Sequence, residues 1–297
     1  MLKQVKDGVY YFTGPINMGI IETDRGIVII DTGLDNSYGR KLLKISVELK
    51  KEIIGIINTH SHADHFGGNN FLKKRTDAWT MASKIEKALI ENPIFEPMYL
   101  FGGVPFPEMR TKFLEGKPSL VDMSVEDEKA KKILEDLNIE IIELPGHSPA
   151  QIGVIYQDVI FIGDTVMPKR VIEKYKLGYL YDAKREKETL LNLQKLKYNY
   201  FIPGHGELFL SEEFKTIVDI NLKNILSVEE VILRILKIPY STEEAFSQLV
   251  KLLDLDPDLT QILLLFSTFK GFLTGLKSEG LIEYYLENGK IIWKKRA

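Results

Sequence analysis

Short runs rich in Val and Ile, separated by polar turns, recur along the first two thirds of the chain and are typical of buried strands. They cover residues 9–13, 19–23, 27–30, 53–58, 79–82, 139–144, 151–156, 159–162 and 200–202. Helical spacing of apolar residues appears instead at 35–50, 83–90 and 186–196. Because the order lacks strict βαβ alternation, the pattern predicts two sheets packed face to face with helices outside, an α+β fold.

The pattern changes near Ser211, where long apolar-periodic segments begin. We therefore predict two domains, residues 1–210 and 211–297. In the second, the run Ser-Thr-Glu-Glu at 241–244 has the form of a helix capping box, and Asn288-Gly289 is a favourable hairpin turn. Helices followed by a terminal hairpin resemble a winged-helix module, so we expect a small helical, winged-helix-like domain.

Residues 92–118 are rich in Pro, Gly and aromatic residues and are interpreted as an insertion or flap. Two roles are equally compatible with this composition. The flap can roof a cleft and bind an apolar part of a substrate, or it can simply pack onto the core. The residues concerned are Phe95, Met98, Tyr99, Phe101 and Phe106.

Composition narrows the chemistry. The formal net charge of -3 gives no reason to expect nucleic acid or an anionic membrane as the main partner. With no cysteine in the sequence, thiolate metal sites and cysteine nucleophiles are excluded. The first residues lack the pattern of a secretory signal, and no run approaches the roughly 20 apolar residues of a membrane span. These features predict a cytoplasmic protein.

Three of the five histidines fall within six residues, His60-Ser-His62-Ala-Asp64-His65. Residues i and i+2 of an extended loop point the same way, so His60 and His62 can share one metal ion. Three further candidates each follow a predicted strand: His147 in LPGHSP, Asp164 in FIGDT and His205 in IPGHG. This concentration of imidazole and carboxylate groups at strand ends predicts a metal site.

The series HSHADH, PGHS, GDT and PGHG resembles the metal ligands of the metallo-β-lactamase superfamily in its glyoxalase II-like form. The resemblance spans about residues 8 to 210 and implies a four-layer αββα sandwich. It also implies two metal ions, zinc by preference, with iron or manganese as alternatives. Carried over by position, His60, His62 and His147 would bind the first metal, Asp64, His65 and His205 the second, and Asp164 would bridge them. Asp31, at a strand end, would at most orient a ligand histidine.

Such a two-metal site supplies a bridging hydroxide near neutral pH and polarises the substrate oxygen. The expected function is hydrolysis of a small ester, thioester or lactone, with Asp64 and Asp164 as catalytic residues. The proton donor to the leaving group is Asp64, water, or one of Tyr99, Tyr179 and Tyr181. Four basic residues after the GDT motif can meet an anionic substrate group or form an ordinary solvated run: Lys169, Arg170, Lys174 and Lys176.

Three other functions fit parts of the pattern. A winged-helix-like tail is also found in the β-lactamase-like endoribonucleases, but residues 211–297 carry 11 Lys/Arg against 13 Asp/Glu. The apolar stretch at 261–277 favours packing or a homodimer over nucleic acid. A mononuclear iron oxygenase of the sulfur dioxygenase kind uses similar ligands. A binding module without activity is disfavoured because all seven ligand positions hold competent residues.

Overall fold

Seven strands, adjacent in chain order, form the first sheet of the computed structural model, which describes residues 1–296. They are β1 (Leu2–Lys6), β2 (Val9–Phe12), β3 (Met18–Thr23), β4 (Gly26–Ile30), β5 (Ile53–Ile57), β6 (Trp79–Ala82) and β7 (Met123–Ser124). Strands β1 to β4 are antiparallel, and β4 to β7 are parallel. Parallel neighbours need crossover connections, and helices supply them here. They are α1 (Asn36–Leu49), α2 (Ala63–Phe66), α3 (Asn69–Lys73), α4 (Lys84–Glu91) and α5 (Phe95–Phe101).

Five strands form the second sheet, in the order β12-β11-β10-β9-β8. Their bounds are β8 (Ile139–Glu143), β9 (Ile152–Tyr156), β10 (Val159–Gly163), β11 (Tyr200–Pro203) and β12 (Phe209–Leu210). Strands β10 and β11 are parallel, and the other pairs are antiparallel. The helix α6 (Glu128–Asp136) precedes β8, while α7 (Lys169–Tyr175) and α8 (Ala183–Leu193) connect β10 to β11.

Strand β4 shows why the two sheets stack. All five of its residues are buried, and successive side chains point to opposite faces. Val28 belongs to the apolar cluster between the sheets, which includes Phe161 of β10. Ile29 points the other way, into a cluster with Leu42 of α1. A strand covered on both faces reads as a continuous apolar run, as the sequence GIVII does.

The outer face of the second sheet is covered by α8 and by the C-terminal helices. These are α9 (Ser211–Ile235), α10 (Thr242–Leu252) and α11 (Leu259–Ser278). The rings of Phe201 on β11 and Phe214 on α9 stack with centroids 3.8 Å apart. Helices therefore lie outside both sheets, and the predicted α+β fold with four layers is confirmed.

The remaining strands, β13 (Tyr240–Ser241), β14 (Ile282–Glu287) and β15 (Lys290–Lys295), form a small antiparallel sheet in the order β13-β15-β14. The capping box is confirmed: Ser241 Oγ accepts from the Glu244 N–H, and Glu244 accepts from the Ser241 N–H. The hairpin turn at 288–289 is also present, with positive φ at both residues. Helix α9 begins at Ser211, but the division into two domains and the winged-helix name stay predictions.

Several elements were not predicted. The strands β7, β12 and β13 have two residues each, too few to show any periodicity. The flap contains α5 and a short 3-10 helix, Pro107–Met109, within its Pro- and Gly-rich sequence. The basic run after the GDT motif forms α7, with no buried residue in the helix. Helices without a clear apolar face are difficult to recognise from sequence.

Helix α11 is long and apolar enough, by length and composition alone, to cross a membrane, which the sequence analysis did not anticipate. Its environment accounts for much of this apolar character. Phe269, Phe272, Leu273 and Leu276 are buried in the core beneath the second sheet. We expect helices of a protein core to pass the same test, so the observation is weak evidence for a membrane.

Candidate metal centre

The predicted ligands all lie at one edge of the paired sheets. His60 and His62 follow β5, with Asp64 and His65 in the short helix α2. His147 lies in the β8–β9 loop, Asp164 directly follows β10, and His205 follows β11. The structure groups them into two adjacent sets. Within each set, the potential ligand atoms all lie within 4.8 Å of one another. The first set is His60, His62, His147 and Asp164, and the second is Asp64, His65 and His205.

In the first set, three imidazole nitrogens converge. Nδ1 of His62 lies 3.0 Å from Nε2 of His60 and 3.0 Å from Nε2 of His147. Three nitrogen atoms around one point are the donors that zinc prefers in catalytic sites.

In the second set, Nε2 of His205 lies 3.5 Å from Oδ2 of Asp64. Asp164 connects the two sets through its two carboxylate oxygens. Its Oδ2 is 3.3 Å from His205 Nε2 and 3.5 Å from His147 Nε2, while its Oδ1 is 3.3 Å from His65 Nε2. One carboxylate therefore contacts histidines of both sets, as a bridging ligand would.

Three buried atoms in this group have no hydrogen-bond partner among residues 1–296: His65 Nε2, His147 Nδ1 and Asp164 Oδ1. Buried polar atoms are almost always hydrogen-bonded, because an unsatisfied one costs about 1–3 kcal/mol. His65 Nε2 and Asp164 Oδ1 face each other at 3.3 Å without the geometry of a hydrogen bond. Once a metal ion displaces the Nε2 proton of His65, these two atoms can share that ion, so the residues present are suited to a metal centre.

The outward nitrogens of three histidines have protein partners. Nδ1 of His65 is 2.7 Å from Asp31 Oδ2, and Nδ1 of His60 is 3.0 Å from Thr59 Oγ1. The Thr59 hydroxyl donates to the same Asp31 oxygen, 2.7 Å away. Nδ1 of His205 lies 2.6 Å from the carbonyl oxygen of Pro15. Such contacts fix the ring orientation and leave Nε2 free for a metal.

Asp31 thus occupies the orienting position that the sequence suggested, and it does so with a backbone φ of 60°. This left-handed conformation is uncommon outside glycine and costs free energy. It places the carboxylate where it accepts from the Thr59 N–H, the Thr59 hydroxyl and the His65 ring. A strained residue held by three contacts is consistent with a functional constraint.

Electrostatics differ between the two sets. Burial lowers the pKa of His60 well below its ordinary value. Burial also lowers the pKa of His62 to about 4 and that of His147 to about 3. These three imidazoles are neutral near pH 7 and present lone pairs.

The second set behaves oppositely. The charge of Asp164 raises the pKa of His205 to about 12. Burial alone would lower the pKa of His65, but the charges of Asp164 and Asp31 outweigh it and raise that pKa to about 10. Before metal binds, these two imidazoles therefore hold protons that a metal ion must displace.

Comparison with known proteins agrees with this geometry. Residues 11–205 match the family model described as "Metallo-beta-lactamase superfamily".

The chain belongs to the metallo-beta-lactamase superfamily.

Relatives place this superfamily member among metal-dependent hydrolases. A probable metallo-hydrolase of Methanocaldococcus jannaschii is 30% identical over 63% of this chain and 74% of that protein. A hydroxyacylglutathione hydrolase of Shewanella pealeana is 28% identical over 48% of this chain, which spans only 42% of that protein. The solved structure of a metallo-beta-lactamase family protein from Thermus thermophilus covers 99% of this chain and 100% of its own, with a TM-score of 0.69 and 16% identity, and shows the shared fold.

Glu86 links the two loops that carry the first set of ligands in this superfamily member. Buried on α4, it accepts from the Ser61 N–H at 3.0 Å through Oε2. Its Oε1 accepts from the Ser148 hydroxyl at 2.7 Å and the Ala150 N–H at 2.9 Å. Since Ser61 separates His60 from His62 and Ser148 follows His147, one carboxylate holds both loops in register.

The flap approaches the first set of ligands through Glu96 and Tyr99, and of these two only Tyr99 was expected from the sequence. Oε1 of Glu96 lies 3.9 Å from His62 Nε2, and burial raises the pKa of Glu96 well above its ordinary value. The Tyr99 hydroxyl is 3.4 Å from that of Tyr179, whose ring contacts His62 and His147 edge to face. The other expected flap residues are 39–46% exposed: Phe95, Met98, Phe101 and Phe106.

A cavity of about 550 Å³ opens onto His147, Asp164 and His205. No flap residue is among those that line it within residues 1–296. Its walls come from the α7 region and from the C-terminal helices. Of the four basic residues after the GDT motif, Lys174 lines the cavity. Lys169 is paired with Glu173, Lys176 donates to the carbonyl of Leu253, and Arg170 is exposed.

Sequence reasoning missed Glu86, Glu96 and Asn17. The Asn17 side-chain amide donates to the carbonyls of Pro203 and Gly206 and so holds the loop of His205. None of the three lies in a recognisable motif, because each contacts a loop that is distant in the chain. The feature that distinguishes Glu86 is the burial of its carboxylate, and burial cannot be read from the sequence of α4.

We predict that metal binding releases protons from His65 and His205. At about pH 8 both imidazoles are protonated, so filling the second set should release about two protons or more, and metal affinity should rise with pH toward 10. Titration calorimetry in buffers of different ionisation enthalpy measures the number released. Metal binding without proton release at this pH would contradict the assigned electrostatics.

We predict that Glu86→Ala weakens metal binding by about 10- to 100-fold, because both loops of the first set lose their common acceptor. Competition against a chelator measures the affinity. Ile85→Ala, at an exposed neighbouring position on α4, is the matched control and should leave the affinity unchanged. Wild-type affinity in folded Glu86→Ala would show that the carboxylate does not position the ligands.

Proposed function

We propose that this metal-dependent hydrolase binds two zinc ions and cleaves a small ester, thioester or lactone. The observation that carries the proposal is the position of Asp164, whose two oxygens contact histidines of both donor sets. Nitrogen and carboxylate donors suit zinc and also accept iron or manganese. Asp64 completes the second set beside His205.

When bound, a metal pair supplies an activated water nucleophile and polarises the substrate oxygen. The protein's own residues then have defined tasks. Asp31, Thr59 and the Pro15 carbonyl hold the imidazole rings in place, and Glu86 holds the loops together. Preorganised groups of this kind need no rearrangement when charge develops in the transition state.

Tyr179 is the tyrosine best placed to act on substrate. It lines the cavity beside His147, whereas the side chain of Tyr181 is exposed and Tyr99 lies behind Tyr179. Burial raises the pKa of Tyr179, so its hydroxyl stays protonated and can donate a hydrogen bond to a substrate or leaving-group oxygen. Of the three tyrosines considered from the sequence as proton donors to the leaving group, Tyr179 is therefore retained. Asp64 and water remain the other candidates.

The cavity favours a carbonyl substrate over a nucleic acid. Nucleic-acid sites need a basic surface that contacts successive phosphates, whereas Lys174 is the one basic side chain other than the ligand histidines in this lining. Asp254 and Asp256 also face the cavity and oppose a polyanion. The hydroxyacylglutathione hydrolase relative supports a thioester as one substrate class, although it shares only part of its length with this chain.

We predict that Asp164→Asn loses one or both of the two bound metal ions, because the ligand shared by the two sets loses its charge. Metal-dependent hydrolysis should then fall by about a hundredfold or more. His62→Ala should act similarly. Asp219→Asn, at an exposed position on α9, is the control and should retain full activity. Elemental analysis and turnover of esters, thioesters and lactones measure both quantities.

The same screen should include phosphodiesters, short RNA and oxygen consumption. Metal-dependent cleavage of RNA without ester turnover would replace the proposal by the endoribonuclease alternative. One iron per chain with oxygen uptake and no hydrolysis would replace it by an oxygenase. Full activity in Asp164→Asn would contradict the bridging role itself.

A further inference from the structure

The cavity beside the metal centre has two walls, one from the αββα sandwich and one from the C-terminal helices. The first wall is the connection between β10 and α8, including Val166, Val171 and Leu177. The opposite wall is the α10–α11 loop and the first half of α11, through Leu255, Leu264 and Leu265. The C-terminal helices therefore complete a chamber that the sandwich alone leaves open.

The contacts between these parts hold both walls in place. The side-chain amide of Asn221 on α9 bonds both the N–H and the carbonyl of Met167, at 2.9 and 3.0 Å. The N–H of Leu180 donates to the buried hydroxyl of Thr268 on α11, 3.0 Å away. At Gly271 a Cβ atom would lie 2.6 Å from the carbonyl oxygen of Tyr181, so the helix and the segment after Tyr179 are in backbone contact.

Most of the chamber lining is apolar, and its neutral polar groups belong to Tyr175, Tyr179 and Gln261. Apart from the metal ligands, its charged side chains are Lys174, Asp254 and Asp256, and all three are exposed. The volume of about 550 Å³ lies within the range of small-molecule sites. An apolar chain gains free energy in proportion to the surface it removes from water along Val166, Leu255 and Leu264, whereas a sugar or phosphate placed against these side chains would lose its hydration there.

We propose that this chamber is an acyl-chain subsite, in which the C-terminal helices select a medium-length aliphatic chain attached to the carbonyl that is cleaved. The inference rests on the proposed function for the bond broken, but the binding of the chain can be measured separately. The carboxyl end lies at His147, Asp164 and His205, and the chain runs along Leu255 and Leu264.

The test is the binding of straight-chain carboxylates, from acetate to decanoate, to the metal-loaded full-length protein by titration calorimetry. Affinity should rise by roughly threefold for each added methylene until the chamber is filled. In Leu255→Trp, which fills the chamber, affinity for octanoate should fall at least about tenfold while acetate binds as before. Leu252→Trp, at an exposed position just before the loop, is the matched control and should behave as wild type.

A second variant, Leu264→Ala, enlarges the chamber and should move the best-bound carboxylate to a longer chain. Affinity independent of chain length in the wild type, or the same loss in Leu252→Trp as in Leu255→Trp, would overturn the subsite. Chain-length-dependent binding without turnover of any ester or thioester would support the subsite and reject the proposed hydrolysis. The two proposals therefore fail separately.

Discussion

The position of the Asp164 carboxylate is the constraint on which the rest of the centre depends. Its two oxygens contact three histidines from three different connections between elements: His65 in α2, His147 in the β8–β9 loop and His205 after β11. So many imidazole and carboxylate groups buried together would destabilise the fold unless opposite charges or metal ions compensated them. Gly204 shows how tightly the fold is fitted, since a Cβ atom there would lie 2.0 Å from Asp164 Oδ1.

The surrounding structure divides into residues that orient the ligands and a cavity that we propose accepts the substrate. Asp31, Asn17 and Glu86 orient the ligands through buried hydrogen bonds to a ligand ring or to the backbone of a ligand loop. The cavity lies on the other side, where His205 is the more exposed ligand. Its far wall belongs to α11, which also packs against α8 and α5. With the acyl-chain subsite proposed above, substitutions in the C-terminal helices would alter substrate preference without touching the metal ligands.

Sequence reasoning recovered the fold class and brought forward the residues that the structure groups together, because both depend on strong local signals. The buried run of β4 and the HxHxDH spacing are visible without knowledge of contacts. Glu86 and Glu96 were not recoverable, since their importance arises from helices that pack against loops far away in the chain. The flap at 92–118 contains two short helices that its Pro- and Gly-rich composition did not predict, and composition could not show that α11, rather than Phe101 or Phe106, lines the cavity.

The most direct test of this account is anomalous X-ray diffraction from crystals of the protein loaded with zinc. We expect two peaks per chain, one among His60, His62 and His147 and one beside Asp64, His65 and His205, with Asp164 between them. A single peak, or peaks that Asp164 does not join, would contradict the bridged two-metal centre from which the proposed hydrolysis follows.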